Sequence, residues 1–288
     1  MGPTRIPLLL YAVAALVALN AWIVFQVAAP HPAVLRVSVL DIGQGDSILV
    51  EGPTGITMLV DGGRSGQTDL AQVGHELGLF DRSINLVVET HPDSDHIGGL
   101  PAIFGRYSVG AFMEPGIPDS TNASAALAAA ADAEPGVEHI IARRGMRIDL
   151  GGGAYADVLY PDRDPSKMDT NNGSVTMHVV YGSTSFMLTG DLPSPVEDWL
   201  TQLDAGDGEL PTNVLKAGHH GSKYSTDDGW LAALHPSMVA ISAGLNNPYG
   251  HPAPETIDRI KNEGAAIYST LGKGTIHFVS DGASVHTE

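Results

Sequence analysis

One loop of this chain places four potential metal ligands within six residues. These ligands are His91, Asp93, Asp95 and His96. The loop follows an apolar run, residues 84–88, that predicts a buried strand, and Gly98 and Gly99 separate it from a predicted helix. Imidazole and carboxylate donors suit Zn, Mn or Fe, and the chain has no cysteine for a thiolate site. A polar turn with a helix-capping aspartate would explain one of these acids, but not two acids and two imidazoles.

A second group of candidates follows two later predicted strands. Asp191 ends the run Leu-Thr-Gly-Asp, where it either makes a turn or bridges two metal ions. The run Lys-Ala-Gly-His-His-Gly-Ser, residues 216–222, contains two adjacent imidazoles, His219 and His220, flanked by Lys216 and Ser222. Paired histidines in a glycine-flanked loop favour a metal or phosphate site over surface residues in a flexible turn.

Three further runs carry weaker signals. His251 stands in a loop before a helix that starts with proline. Asp46 and Asp61 lie in Gly-Asp turns, where a carboxylate either shapes a bend or accepts a hydrogen bond from a metal-ligating imidazole. Asn172 and Ser174 belong to an Asn-Asn-Gly-Ser run that predicts either a turn or a substrate contact.

Length and composition limit the alternatives. A chain of 288 residues with 43% hydrophobic residues can bury one large core, so we expect one catalytic domain. The formal net charge of −18 indicates either adaptation to high salt or an ordinary acidic secreted domain. It excludes the broad basic surface expected for tight nucleic-acid binding, so any affinity for phosphate must be local to the site.

The amino-terminal segment is apolar. No residue between positions 6 and 29 is charged. As a helix, this segment is long enough to cross a hydrocarbon core of about 30 Å. We therefore predict a membrane anchor at residues 1–29 and a hydrolase domain at residues 30–288. The alternative is a signal peptide cleaved near Ala29. Arg5 favours a cytoplasmic amino terminus, which places the catalytic domain outside the cytoplasm, secreted if the segment is cleaved.

The pattern of the remaining chain predicts many strands with interspersed helices. It indicates an α/β (α+β) fold of two sheets packed face to face, with helices outside. Helices are predicted at 69–79, 100–106, 120–133, 195–203, 228–234 and 254–262. Strands are predicted at 34–41, 47–51, 57–60, 84–88, 156–160, 174–180, 185–189, 213–216, 238–242, 266–268, 275–279 and 284–286.

Seven of these motifs, taken in order, resemble those of the metallo-β-lactamase superfamily. The runs begin at residues 40, 61, 90, 172, 188, 216 and 247 and cover about residues 34–278. More closely, they resemble the hydrolase domain at the carboxyl end of ComEC-type DNA-uptake (competence) proteins. The resemblance implies a four-layer αββα sandwich with a dinuclear metal site, Zn or Mn, at the sheet edge.

The resemblance also assigns roles to particular residues. Its first metal motif falls on His91, Asp93, Asp95 and His96. Here Asp93 replaces the usual second histidine, which is typical of the ComEC-like branch and argues against β-lactamase activity. Asp191 takes the bridging position, and one of His219 and His220 is a ligand. His251 is a ligand or a substrate contact, and the family's isolated third-motif histidine has no match.

The function implied is metal-dependent hydrolysis, with a phosphodiester of single-stranded DNA as the expected substrate. In this mechanism Asp95 orients the nucleophile, while Lys216, His220 and Ser222 contact phosphate or assist the leaving oxygen. The transmembrane helices of a complete DNA-uptake channel are missing, so a separate channel protein is the expected partner. Two alternatives stay open: a hydrolase of small esters, lactones or thioesters, which suits the negative charge better, and a non-catalytic metal-binding partner of a channel.

Overall fold

The structure, a computed structural model, describes residues 8–28, 33–78, 81–204 and 210–288. Contacts divide the chain into two units, Met1–Ala33 and Val34–Glu288. In the first unit, helix α1 spans Leu8–Ala28, and its side chains are described for residues 10–22. Among the described residues, no helix meets both the length and the apolar character needed to cross a membrane.

The second unit contains an eight-stranded sheet, sheet A, and a seven-stranded sheet, sheet B. Sheet A has the order β15-β14-β1-β2-β3-β4-β5-β6. Its strands are β1 (Leu35–Val39), β2 (Ile48–Glu51), β3 (Thr57–Val60), β4 (Ser83–Val88), β5 (Ser108–Glu114), β6 (Glu138–Ile141), β14 (Ile276–Ser280) and β15 (Val285–Thr287). Strands β3 to β6 run parallel, while β1, β2, β14 and β15 pair antiparallel.

Sheet B has the order β13-β12-β11-β10-β9-β8-β7. Its strands are β7 (Arg147–Gly151), β8 (Ala154–Tyr160), β9 (Thr176–Tyr181), β10 (Thr184–Leu188), β11 (Val214–Lys216), β12 (Met238–Ile241) and β13 (Ala266–Ser269). Strands β10 to β13 are parallel, and β7 to β10 form an antiparallel meander.

Seven helices belong to this second unit in its described residues. They are α2 (Gly66–Leu77), α3 (Ser94–Ile97), α4 (Leu100–Phe104), α5 (Asn122–Ala133), α6 (Ser194–Leu203), α7 (Asp228–Leu234) and α8 (Pro254–Glu263). Two short 3₁₀ segments, Asn171–Gly173 and Gly218–Gly221, lie in loops.

Three apolar clusters define the layers. The central one joins the facing sides of both sheets, with Val37 and Met58 from sheet A and Met177 and Phe186 from sheet B. A second cluster packs the outer side of sheet A against α2, α4 and α5, and a third packs sheet B against α6, α7 and α8. The mixed α/β architecture of two sheets predicted from the sequence is therefore confirmed, because alternate strand residues face the core and the helices.

Several predicted elements differ from those found. Strands β5, β6 and β7 and helix α3 were not expected. Strands β6 and β7 are the outermost strands of their sheets and largely exposed, so their polar residues hide the strand pattern. Gly110 lies inside β5, and because glycine is uncommon in strand interiors it obscures the strand pattern there. The helix predicted at 69–79 begins earlier, at Gly66, and position 79 lies outside the described residues.

The topology brings the polar loops to one edge. Strands β1, β3 and β4 of sheet A run in one direction and end at this edge, where Asp46, Asp61 and His91 follow them. Strands β10 and β11 of sheet B deliver Asp191 and His220. The two sheets are joined there by a hydrogen bond from the Val175 amide to the Thr90 carbonyl. Ligand sites in parallel sheets characteristically lie beyond the carboxyl ends of strands.

Candidate metal centre

Four buried side chains converge at this edge. Donor atoms of Asp46, His96, Asp191 and His220 all lie within 4.8 Å of one another. Asp191 is central, because its Oδ1 lies 3.3 Å from His96 Nε2 and its Oδ2 lies 3.6 Å from His220 Nε2. Asp191 Oδ1 and the Nε2 atoms of His96 and His220 are buried without a hydrogen-bond partner among the described residues. Buried polar atoms are rarely left unpaired, so these atoms fit a bound cation.

Asp61 sets the protonation of two imidazoles. Its Oδ2 lies 2.7 Å from His96 Nδ1 and also accepts the Thr90 hydroxyl proton at 2.7 Å. Because the hydroxyl proton of Thr90 is engaged, its oxygen can only accept at His91 Nδ1, 3.0 Å away. Nδ1 of both rings therefore carries a proton, which leaves Nε2 of each ring, on the Asp191 side, as the atom able to bind a metal ion. This is the orientation that a metal-ligating histidine needs.

The spacing of the donors agrees with shared cations. Two donors about 2.1 Å from one ion and at the tetrahedral angle are about 3.4 Å apart. His91 Nε2 lies 3.7 Å from Asp93 Oδ2 and 3.9 Å from Asp191 Oδ2. His220 Nε2 lies 3.6 Å from Asp95 Oδ2. The residues present therefore fit divalent cations held beside Asp191.

The adjacent histidines take part from different sides. His220 is buried between Asp46, Asp95 and Asp191, whereas His219 is 31% exposed with its Nε2 3.6 Å from Asp191 Oδ2. Both residues have left-handed backbone conformations, with φ of 48° and 55°. Such consecutive non-glycine residues are strained and are held by their surroundings. The left-handed turn directs both rings toward Asp191.

Two donor pairs lie close together in the centre: His220 Nε2 with Asp95 Oδ2 at 3.6 Å, and His91 Nε2 with Asp93 Oδ2 at 3.7 Å. Carboxylate oxygens of Asp191 lie 3.3–3.9 Å from Nε2 of His91, His96, His219 and His220. His219 stands on the open side with its Nδ1 3.4 Å from Asn171 Nδ2. The sequence left the choice between the two histidines open, and this geometry favours His220 as the buried donor.

Lys216 lies on the buried side of the centre rather than on its open side. Its ammonium donates to Asp46 Oδ2 at 2.7 Å and to the Ala217 carbonyl at 3.0 Å, and the side chain is 1% exposed. The described contacts of Lys216 are therefore with the buried side of the centre, and its predicted contact with phosphate stays a prediction. Its role is to neutralise Asp46, whose Oδ1 lies 3.2 Å from His220 Nδ1.

The three residues predicted to bind substrate, Asn172, Ser174 and Ser222, differ in their contacts. Ser222 is buried and its hydroxyl accepts the Tyr224 amide, so it faces its own loop instead of phosphate. Ser174 is buried beside Gly190, and its hydroxyl has no partner in the described chain. The carbonyl of Asn172 accepts the Tyr160 hydroxyl. Its neighbour Asn171 contacts His219 instead. This residue was not predicted, because the sequence of a turn-forming Asn-Asn pair does not reveal which amide faces inward.

Thr90 is a second residue that the sequence analysis left without a role. It lies directly before His91, and its hydroxyl connects that ring to Asp61. A hydroxyl beside a metal-ligating histidine was the available signal.

His251 is half-buried, with its ring 5.4 Å from that of His219 and 6.4 Å from that of His220. It lies at the rim, and no hydrogen bond to its Nδ1 occurs in the described residues.

The electrostatics favour a cation. Burial opposes protonation of His220, yet Asp191 and Asp46 outweigh it and raise its pKa to about 9. Burial and the neighbouring His96 lower the pKa of His91 to about 3, so its ring is neutral. Burial opposes ionisation of Asp95, but His220 and His96 lower its pKa to about 2. The centre thus holds ionised carboxylates that attract positive charge, either protons on imidazoles or metal ions.

Close backbone contacts lock the loops together. The Asp46 amide donates to the Asp95 carbonyl, and the Gly62 amide donates to the His96 carbonyl. A Cβ on Gly45 would lie 2.0 Å from the Asp95 carbonyl oxygen, and its φ of +126° also requires glycine. The Gly-Asp turn at Asp46 therefore supports the first metal motif directly.

This fold and this donor set define a metal-binding protein of the metallo-β-lactamase type. The sequence model of the metallo-beta-lactamase superfamily matches residues 40–234, and the chain belongs to that family. Its curated relatives include competence proteins. ComE operon protein 3 of Bacillus subtilis (strain 168) is 28% identical over 260 residues, which cover 84% of this chain and 33% of that protein.

Competence protein ComA of Neisseria gonorrhoeae is 30% identical over 244 residues, covering 84% of this chain and 32% of that protein. The chain thus spans about a third of the length of both relatives. Among solved structures, the metallo-beta-lactamase fold protein YhfI from Bacillus subtilis superposes with a TM-score of 0.54 at 10% identity, over 84% of this chain and 98% of that one. This last likeness shows the fold alone.

Proposed function

We propose that this protein is a metal-dependent phosphodiesterase that hydrolyses DNA, with single strands as its substrate. The observation that carries the proposal is the convergence of unpaired buried donors on Asp191. The chemistry of the donor set, imidazole with carboxylate, suits Zn or Mn. Two such ions would acidify water and offset negative charge on phosphoryl oxygens.

Two sets of side chains would hold the ions. His91 and Asp93 would hold one ion, Asp95, His96 and His220 would hold the other, and Asp191 would contribute to both. Asp61 and Thr90 keep both imidazoles of the first motif in the tautomer that leaves Nε2 free. Lys216 balances Asp46, which in turn faces His220.

The open side of the centre provides the groups that meet substrate. Asp95 is half-buried and ionised, so it can orient an attacking water by accepting a hydrogen bond from it. Burial and the nearby His219 lower the pKa of His251 to about 4, so its ring is neutral at pH 7. A neutral ring donates or accepts one hydrogen bond but adds no charge. We therefore assign His251 to substrate contact rather than to charge neutralisation.

Two observations support DNA as the substrate. One curated relative is named as a competence protein, and the family branch with aspartate at position 93 is not that of β-lactamases. The net charge of −18 favours a small ester, lactone or thioester instead, or a non-catalytic metal-binding role beside a channel. These alternatives make different predictions for the same experiment.

The experiment follows nucleotide release from end-labelled single-stranded DNA by the full chain in mild detergent with added Mn or Zn. Asp191→Ala is the matched inactive variant. Metal-dependent release that disappears in Asp191→Ala supports the proposal. If the wild type releases nothing at any salt concentration, the phosphodiesterase proposal fails and the small-ester or channel-partner function replaces it.

We also propose that the amino-terminal segment anchors the hydrolase domain to a membrane, with that domain outside the cytoplasm beside a separate DNA channel. The support comes from the sequence: residues 6–29 carry no charge, and all 21 residues of α1 lie within this range. Carbonate extraction of membranes, followed by protease digestion of intact cells, tests both parts. Recovery in the soluble fraction as the uncleaved chain would refute the anchor.

A further inference from the structure

Exposed apolar side chains cluster on two loops beside the metal centre. In the described parts of residues 33–288, the three most exposed large apolar side chains are Leu245, Tyr224 and Tyr249, at 70%, 67% and 58%. Single exposed apolar residues are common on protein surfaces. Here the two aromatic ones belong to the loops that carry His220 and His251, which calls for a functional explanation.

Two ring contacts connect Tyr249 to the centre. Its ring stacks on that of His251 at 5.8 Å with an interplanar angle of 26°. The His251 ring in turn lies 5.4 Å from the ring of His219, whose Nε2 faces Asp191. The outer face of the tyrosine is thus presented to solvent within reach of a substrate held at the centre.

The loop that carries Tyr249 is ordered by one side chain. The Asn247 Oδ1 accepts the amides of Tyr249 and His251, and its Nδ2 donates to the carbonyls of Gly244 and His251. The Gly244 amide donates to Gln44 Oε1, which joins this loop to the turn before Asp46. The aromatic ring is therefore held in place without being buried.

The loop that carries Tyr224 is fixed in a similar way. The Tyr224 carbonyl accepts the Ser194 amide, and the Arg259 guanidinium donates to the carbonyls of Lys223 and Ser225. The Lys223 ammonium lies 5.0 Å from the centre of the Tyr224 ring. The two loops are joined by a hydrogen bond from the Ala253 amide to the Gly221 carbonyl. Rigid, exposed rings bind flat partners at low entropic cost.

We infer that Tyr224 and Tyr249 form a stacking platform for unpaired nucleobases of a strand whose phosphodiester lies at the metal centre. This inference rests on the proposed phosphodiesterase function and specifies a single-stranded polynucleotide over a duplex or a small diester. Every base offers an aromatic face, so such stacking needs no sequence preference. In a duplex those faces are covered by neighbouring bases, so a duplex cannot use the platform.

The platform also accounts for DNA binding by an acidic protein. A net charge of −18 leaves few cations for phosphate contacts, so electrostatic binding of a polyanion is weak. Base stacking supplies affinity without added cations. The salt dependence of binding should therefore be shallow, equivalent to about one or two phosphate contacts.

The test measures affinity without catalysis. The full chain in mild detergent, with chelator present, is titrated against a fluorescein-labelled thymidine 15-mer and against an abasic strand of equal length, by fluorescence anisotropy. The wild type should bind the thymidine strand roughly tenfold or more tightly. The pair Tyr224→Leu and Tyr249→Leu should lose that preference and bind both strands alike.

Two controls make the result specific. The pair Tyr224→Phe and Tyr249→Phe retains the rings and should keep most of the preference for bases. Trp199→Leu removes a partly exposed aromatic ring on α6, at 38% exposure, and should keep the wild-type affinity. Equal binding of both strands by the wild type would overturn the platform, as would an unchanged preference in the double leucine variant.

Failure of the proposed catalytic function is distinguishable from failure of the platform. Hydrolysis of the abasic strand, a phosphodiester chain that carries no aromatic ring, reports the metal centre itself. Absence of metal-dependent hydrolysis of both this strand and the thymidine strand, with the base preference intact, would refute the phosphodiesterase and support the platform. Equal relative losses of hydrolysis of the two strands in the double leucine variant would refute the platform, since the change would then act on the centre as a whole.

Discussion

The Lys216 ammonium lies 2.7 Å from Asp46 Oδ2, and each side chain is 1% exposed. Removing one partner of such a pair leaves the other charge buried and unpaired, which typically costs about 3–5 kcal/mol. Lys216→Met should therefore lower the free energy of unfolding by about this amount, measured by urea denaturation. The exposed Lys223→Met is the matched control, with an expected change below about 0.5 kcal/mol. A small effect at Lys216 would mean that His220 alone compensates Asp46.

Asp191 contacts donors from both sides of the centre. Asp191→Ala should reduce the bound metal from two ions per chain to fewer than one, measured by elemental analysis of the gel-filtered protein. Hydrolysis should fall by about 100-fold or more, because Asp191 is the proposed ligand common to both ions. A variant that kept two ions and full activity would show that Asp191 does not bridge.

Asp61 orients His96 and, through Thr90, His91. Asp61→Asn should weaken metal affinity by about 10- to 100-fold, measured by competition with a chromophoric chelator. Asp204→Asn is the control, because Asp204 is a buried acid paired with Arg144 away from the centre. That variant is expected to lose stability but to keep its metal affinity. If Asp61→Asn behaves like Asp204→Asn, the proposed orienting role is wrong.

The imidazole of His178 makes the free energy of unfolding depend on pH. Burial lowers its pKa from 6.5 to about 4, so the folded state keeps it neutral over a range in which the unfolded state binds a proton. The contribution of His178 to the free energy of unfolding is therefore fully present above pH 6.5. It is lost as the pH drops toward 4, by up to roughly 3 kcal/mol. Urea denaturation of the metal-free protein at pH 7 and pH 4.5 measures this loss.

The control for this prediction is His178→Gln, which removes the titrating group. The difference in stability between pH 7 and pH 4.5 should be smaller in the variant than in the wild type. His178 lies on β9, away from Asp191, so metal affinity at pH 7 should not change. An identical pH dependence in both proteins would assign the loss to other groups, such as His91.

Chelation should separate the role of metal in stability from its role in catalysis. Ligands from two sheets meet at Asp191, so removing the ions leaves acids facing one another without a cation. We expect a lower melting temperature with excess chelator, restored by Mn or Zn, measured by differential scanning fluorimetry. Asp191→Ala serves as the reference, since its melting temperature should respond little to either addition.

Much of the fold was predictable because strand and helix periodicity is local. The strand at 57–60 and the helix at 228–234 were placed with the bounds that the structure has. Elements whose identity depends on their neighbours were missed. Strand β6 is mostly exposed at the end of sheet A, and helix α3 occupies part of the first metal motif, which the sequence analysis treated as a loop.

The candidate site was predictable as a set of residues but not as an arrangement. Dense histidine and aspartate motifs identified the donors, since few structural roles require them together. Burial and direction could not be inferred in the same way. Lys216 and Ser222 belong to a motif rich in polar groups, yet both side chains are buried. Lys216 pairs with Asp46, which is distant in sequence, and the Ser222 hydroxyl accepts the Tyr224 amide of its own loop. Asn171 and Thr90 were overlooked because their roles depend on partners distant in sequence.

The donors around Asp191 come from two sheets that are far apart in the chain. His96 follows β4 of sheet A, whereas Asp191 and His220 follow β10 and β11 of sheet B. A bound ion would therefore act as a crosslink that closes one long loop of the polypeptide and ties the two halves of the sandwich at their shared rim. Each tenfold increase in metal concentration above the dissociation constant would add about 1.4 kcal/mol to the stability of the domain. The stability of the domain would thus vary with the concentration of free metal around it.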